Sequence, residues 1–280
     1  MSSQPAFDTR HLFWAERRAL IKVPESLTPA QWQLPTVCPG WTVHDVALHL
    51  LWGDISNVAR RRDEYSGRSQ DSPGNLDDLP TLIAFANNLN DNWIRGARRT
   101  SPALLQTMLR VTGAEWSSYI ESVDIEAMGN GVGWAGPDPA PVWLDIAREF
   151  TERWVHQQHI LDAAGMPGAT GTQFLKPVLA TFAMALPYAM RDVEADRGAI
   201  AELSISGDSG GTWRAVKVHQ EWAFTNVDDA PAVTSLTIDQ DTAWRLFTKG
   251  ITSAAALTRS IISGYKRTTD RMLSMVTILA

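Results

Sequence analysis

Cysteine is almost absent: Cys38 is the single one in 280 residues. That excludes an internal disulfide and any multi-cysteine zinc cluster. The first twenty residues, MSSQPAFDTRHLFWAERRAL, show no basic start followed by an apolar run, so they do not read as a secretory signal. Both features fit a reducing compartment, and a cytoplasmic protein is the expectation. Long apolar runs are missing as well. No stretch approaches the ~20 residues that span a bilayer, so no membrane association is expected. Positive charge is not in excess either, since the formal net charge is -6. The one basic run, ARRR at 59–62, is followed by Asp63 and Glu64 and reads as a solvated helix end. With no basic stripe and no basic recognition helix, neither nucleic-acid binding nor transcription regulation is expected. The Gly- and Pro-rich loop GNGVGWAGPDPAP (129–141) follows no strand and lacks a GK[ST] ending, which excludes a phosphate-binding loop.

What is present is ordinary globular material, 44% apolar and 20% charged, long enough for one large domain or two of common size. Tryptophan is the exception. The chain has 12, and Trp14, Trp32, Trp41, Trp52, Trp93, Trp116, Trp134, Trp143 and Trp154 all precede residue 165. Such rings suit broad helix interfaces, and Trp41, Trp52 and Trp154 are read as packing the bundle. Up to about residue 165 the rhythm is helical. A first helix is expected over 7–21, ended by Pro24, and a second opens at Thr42, where Asp45 three residues on forms a capping-box pattern. A loop over 66–75 leads to helices at 79–98 and 102–123, with Ser101 as N-cap and Pro102 in first position. A last bundle helix runs from Pro141 to Ala164, stopped by Gly165. Leu175 to Asp192 reads as one helix kinked at Pro187. The period then shortens to two: AELSIS (201–206), TWRAVKVH (212–219), EWAFTNV (221–227) and AVTSLTI (232–238) read as strands. Helices return over 241–249 and 267–278. The expected layout is a helical bundle over 1–166 and a smaller α+β domain over 167–280.

The segment TERWVHQQHI (151–160) places Glu152, His156 and His159 on a helix that is otherwise apolar. Residues four apart lie only ~40° from each other on an α-helix, so Glu152 and His156 project from one face as two ligands of one metal must. His159 is close in angle but about 10 Å further along the axis; it lines the same groove. The second helix carries His44 and His49, about 140° apart, so only one can face inward. His49, between Leu48 and Leu50, is the better inward candidate, and His44 decorates the helix start. A histidine from helix two with a Glu and a His from the last bundle helix is a known zinc ligand set with one position open. The bland reading of His49 is a satisfied core histidine, and that of the Glu-x3-His pair is a solvated helix face. Arg153 points about 100° away from the ligands and reads as a surface-pairing residue.

Two motifs carry a resemblance. VCPGWTVHDVALHL (37–50) resembles the start of the second helix in the mycothiol-dependent maleylpyruvate isomerase family, part of the DinB-like four-helix-bundle superfamily. The shared pattern is a Pro-Gly-Trp-Thr-Val turn, an Asp three residues after the Thr, and a histidine four further on. TERWVHQQHILDAAG (151–165) is similar to the family's last bundle helix. The resemblance implies a DinB-like four-helix bundle followed by a small α+β domain. It also implies a divalent metal, zinc or a relative of it, on His49, Glu152 and His156, with mycothiol or a similar thiol as cosubstrate. The family usually has an acid where this chain has His159.

On that basis the metal would activate a small thiol for cis–trans isomerisation or for S-transfer to a small electrophile. His159 is the candidate catalytic acid–base group. Arg267 and Arg271, one turn apart on the final helix, are the candidate contacts for carboxylates of mycothiol or substrate, with a solvated face as the alternative. Cys38 reads as a small packed residue in the turn before helix two, with a redox or ligand role as the alternative. Two other classes stay open: a metal-dependent hydrolase using bound water, and a non-catalytic small-molecule binding module.

Overall fold

The computed structural model describes residues 7–65, 79–226 and 230–277; the loop expected at 66–75 lies outside them. An N-terminal helical bundle is followed by a C-terminal region built on a mixed β-sheet. The described residues divide into two compact units, one of 10–65, 79–123 and 152–169, the other of 7–9, 124–151, 170–226 and 230–277. No described helix is long and apolar enough to cross a membrane.

The helical unit contains α1 (Phe13–Ser26), α2 (Val43–Asn57), α3 (Leu79–Ala97), α4 (Pro102–Glu121) and the second half of α5 (Val142–Ala164). Helix α1 packs on α4, and α2 packs on both α3 and α4. Their apolar stripes meet in one core that includes Leu20, Val46, Leu50, Leu105, Leu109 and Ile160. The helix ends are set by local chemistry. The Thr42 hydroxyl accepts from Asp45 N at 3.3 Å and Asp45 Oδ2 accepts from Thr42 N at 3.0 Å, a closed capping box. Such a cap contributes about 1 kcal/mol. Ser101 accepts from Leu104 N at 3.3 Å, with Pro102 in the first turn behind it. At the end of α5, Met166 N donates to Leu161 O (2.9 Å) and Gly165 N to Asp162 O (3.2 Å). That crossed pair needs the left-handed φ of 68° that Gly165 adopts.

Several expected boundaries move. The first helix starts at Phe13, after a single 3-10 turn at Arg10–Leu12 whose Arg10 guanidinium donates to the Val123 carbonyl. Pro24 does not end it but sits in its last turn, where only one further turn of backbone is disturbed. The stretch 175–192 is not one kinked helix: it breaks into α6 (Thr172–Ala183) and the single turn α7 (Leu186–Ala189), with Pro187 in the first turn of the second. A π-turn, Val58–Arg62, extends α2, and its Arg62 pairs with Asp63 and Glu115 at the surface.

In the second unit, β1 (Ile200–Ser206), β2 (Gly211–Val218), β3 (Glu221–Phe224), β4 (Thr234–Asp239) and β5 (Ile261–Gly264) form one sheet in the order β3-β2-β1-β4-β5. Only β1 and β4 run parallel, with Leu203 opposite Leu236. Ala201, Leu203 and Ile205 of β1 and Leu236 and Ile238 of β4 are buried, the period-2 pattern of a one-sided sheet. Helix α8 (Gln240–Phe247) packs on this sheet and on α6, bringing Phe247 edge-on to Phe182. Asp239 caps α8 by accepting from Asp241 N and Thr242 N. Helix α9 (Ser253–Leu257) and β5 were not expected. Both are short, and β5 is an edge strand with Ile261 and Ser263 exposed, so neither has a buried period to read. Helix α10 (Lys266–Leu273) closes the described chain.

Candidate metal centre

The site lies wholly within the helical unit. The i,i+4 spacing puts Glu152 and His156 on one line of α5, and His49 of α2 meets that line: the His49 and His156 rings are 4.6 Å apart, nearly edge to face. One donor atom from each of His49, Glu152 and His156 lies within 4.8 Å of the other two. Trp41, at the mouth of the capping box, covers His49 at 5.1 Å between ring centres. His156 is 2% exposed, and among the described residues neither ring nitrogen has a hydrogen-bond partner. Burying an imidazole with both nitrogens unsatisfied costs free energy unless something binds there. Burial, with His49 and His159 beside it, drives its pKa well below the ordinary histidine value. The ring is therefore neutral, the form that ligates metals. Two imidazoles and one carboxylate converging in this way fit a divalent cation of the zinc type with an open position.

His159, one turn beyond His156, is buried, with its ring 5.3 Å from that of His156. Its Nδ1 is 3.3 Å from Cys38 Sγ. Cys38 reaches it through the turn Cys38–Trp41, closed by Trp41 N donating to Cys38 O at 3.1 Å. Gly40, at φ 76°, supplies the left-handed residue that this turn requires. Burial pushes the Cys38 thiol up to about 11. The sequence reading favoured packing for Cys38, with a redox or ligand role as the alternative, and did not foresee this contact; the signal available was its place in the turn that precedes the histidine-bearing helix.

Other expected residues have partners of their own. Arg267 and Arg271 stand on α10 in the second unit, and both engage Asp192: Arg267 donates to its carbonyl and Arg271 to its carboxylate, each at 3.2 Å. His44 does more than decorate the start of α2, since its Nε2 meets the Thr100 carbonyl at 2.9 Å. Asp45, besides capping, accepts two hydrogen bonds from Arg98. Burial works against its ionisation, but Arg98 and the Thr42 N–H outweigh it and hold its pKa below the usual value.

Arg153 is not a surface residue. It is 4% exposed and donates to Asp54 Oδ1 at 3.1 Å, with its guanidinium over Phe13 and Trp116. Turning 100° from the ligand face of α5 leads into the bundle, not into water. Arg17 shares the same carboxylate at 2.8 Å, and Thr112 donates to it at 2.9 Å. Glu16, fully buried beside them, accepts from the Gln157 amide at 3.2 Å. Burial raises its pKa to about 7 against the pull of Arg17 and Arg153. This ionic layer was also missed, although the helical period places it: Val46, Leu50 and Asp54 fall four apart on the buried face of α2, as Phe13 and Arg17 do on α1.

The profile of the family described as Mycothiol maleylpyruvate isomerase N-terminal domain matches residues 13–161. Two uncharacterized proteins of Mycobacterium tuberculosis, from strains CDC 1551/Oshkosh and H37Rv, are each 28% identical over 142 residues. The match takes in 49% of this chain and 48% of theirs, so the chain spans about half the length of these curated relatives. A crystal structure of the mycothiol-dependent maleylpyruvate isomerase aligns with a TM-score of 0.49 at 12% identity, covering 87% of this chain and 88% of that one. The family profile spans more than half of the 280 residues and includes every residue of the candidate centre, and on that ground the chain belongs to the mycothiol maleylpyruvate isomerase N-terminal domain family.

Proposed function

We propose that the protein is a metal-dependent, thiol-using enzyme that activates a low-molecular-weight thiol, mycothiol or a close analogue, for isomerisation of a cis double bond or S-transfer to a small electrophile. The observation that carries this reading is the convergence of three donors from two helices, within 4.8 Å of one another, on a buried histidine with no other partner for its nitrogens. His49 and His156 would supply neutral donors, and Glu152 would offset part of the cation's charge. Zinc, or a cation of similar preference, would lower the pKa of a thiol brought to its open position, so that the nucleophile is anionic at neutral pH.

The chain's own residues do the rest. Trp41 packs on His49 and fixes its ring plane. The burial of His156, 2% exposed, keeps water from competing for the anion. His159, buried one turn from His156, takes the thiol proton on a ring nitrogen. It returns that proton when a leaving group departs from the electrophile.

The test uses the zinc-loaded full chain with mycothiol and a panel of cis-unsaturated and alkylating electrophiles. The expected result is thiol-dependent turnover, lost on chelation and in Glu152→Ala. Hydrolysis of esters or amides with no thiol present would replace this reading with a hydrolase. Saturable thiol binding with no turnover would leave a binding module.

A further inference from the structure

The centre contains a second set of donors. Cys38 Sγ, one nitrogen of His156 and one of His159 also lie within 4.8 Å of one another. The two sets share His156, whose nitrogens have no hydrogen-bond partner and whose ring is 2% exposed. The first set offers a carboxylate and two imidazoles; the second replaces the carboxylate with sulfur. Thiolate and imidazole together favour soft cations, while carboxylate favours harder ones. Cys38 is only half-buried, so a cation can reach it from solvent, and Sγ already faces the His159 ring at 3.3 Å.

We propose that Cys38, His156 and His159 form a second metal position, softer in preference than the first, so that cadmium or cuprous copper is favoured there, and exclusive with the first because both need His156. Binding there forms a sulfur–metal bond and breaks the S–H bond of Cys38, releasing one proton to solvent. No electron changes hands. A soft cation seated there withdraws His156 from the set completed by His49 and Glu152. The site therefore has a built-in route by which soft metals displace the working ion. The inference shares His156 with the proposed function but does not need a metal to sit at the other set.

The experiment is a cobalt(II) titration of metal-stripped full-length protein, followed in the near ultraviolet for sulfur-to-cobalt charge transfer and in the visible for ligand-field bands. Since Cys38 is the only cysteine, any charge-transfer band reports on it alone. The band is expected in wild type and in Glu152→Gln, lost in Cys38→Ser and strongly weakened in His159→Ala, with far-ultraviolet circular dichroism confirming that each variant is folded.

In Glu152→Gln, where the harder carboxylate no longer competes, cobalt bound with ligand-field bands but no charge transfer would overturn the second position. So would the absence of any bound cobalt. A band lost in Glu152→Gln would make Cys38 an extra ligand of the first set, and a band kept in His159→Ala that grows with protein concentration would be a bridge between molecules; both overturn it. A band that survives His49→Ala and Glu152→Gln, with no other cobalt bound in wild type, would uphold the second position and remove the basis of the proposed function.

Discussion

Helices α2 and α5 each feed two buried polar clusters, and the two clusters balance their charge differently. Around Asp54 the balance is internal: Arg17 and Arg153 bind one carboxylate, Thr112 adds a hydroxyl, and Glu16 rests on Gln157. Five residues earlier on α2 and one turn along α5, His49, Glu152 and His156 point lone pairs at a common centre. The first cluster pairs its guanidiniums with a carboxylate of the protein, although Arg17 Nε and Glu16 Oε2 make no hydrogen bond among the described residues. The second converges like on like, and its central imidazole has no hydrogen-bond partner. A buried ionic group is tolerable when paired, and a buried convergence of acceptors when a cation joins it. The same two helices therefore carry one cluster whose charges meet within the protein and one that offers donors to a metal.

This contrast can be broken by mutation. The largest expected effect is at Asp54: Asp54→Ala leaves two buried guanidiniums without their shared carboxylate and should cost about 3–5 kcal/mol, read by urea denaturation. Metal stoichiometry of the folded fraction should not change. If the metal is lost while the fold survives, the clusters are not independent.

The next effect is pH-dependent and belongs to Glu16. Its folded pKa is about 7, against 4.5 as reference. Below pH 4.5 both states keep the proton. Between about 4.5 and 7 the unfolded chain releases it and the folded chain retains it. Stability therefore falls as pH rises through this window, by on the order of 3 kcal/mol. Glu16→Gln should flatten that part of the curve; an unchanged slope would assign it to another group.

The smallest effect has the opposite sign. In metal-free protein, His156→Leu removes a buried imidazole with two unsatisfied nitrogens and should raise stability by about 1–3 kcal/mol. The same change in the ionic layer, Arg17→Leu, should lower it. A destabilised, metal-free His156→Leu would mean that this histidine holds the fold rather than a ligand.

The candidate centre was more legible in the sequence than the ionic layer, and the reason is geometric. Glu152 and His156 share one spacing on one helix, a weak signal that the family resemblance strengthened, and His49 follows a turn whose Pro39-Gly40-Trp41-Thr42 chemistry is written in local residues. The helix caps at Thr42 and Ser101 were readable for the same reason, since each needs only four consecutive positions. The Asp54 layer depends on α1, α2, α4 and α5 meeting at one level, a relation between segments far apart in the chain. An arginine next to a ligand motif therefore read as solvated. The contact of Cys38 with His159 spans 121 residues and has no local signature. In the second unit, strands β1 to β4 alternate and were legible, while β5 and α9 are too short and too exposed to carry a period.

The central claim, that the histidine–carboxylate cluster is completed by a metal, is tested most directly by elemental analysis. Wild type, His49→Ala and Glu152→Ala would be purified without a metal-affinity tag, dialysed against zinc, and checked for folding by circular dichroism. The account predicts near-stoichiometric metal in wild type and loss of most of it in both folded variants. A wild-type protein that remains metal-free after zinc dialysis would contradict it.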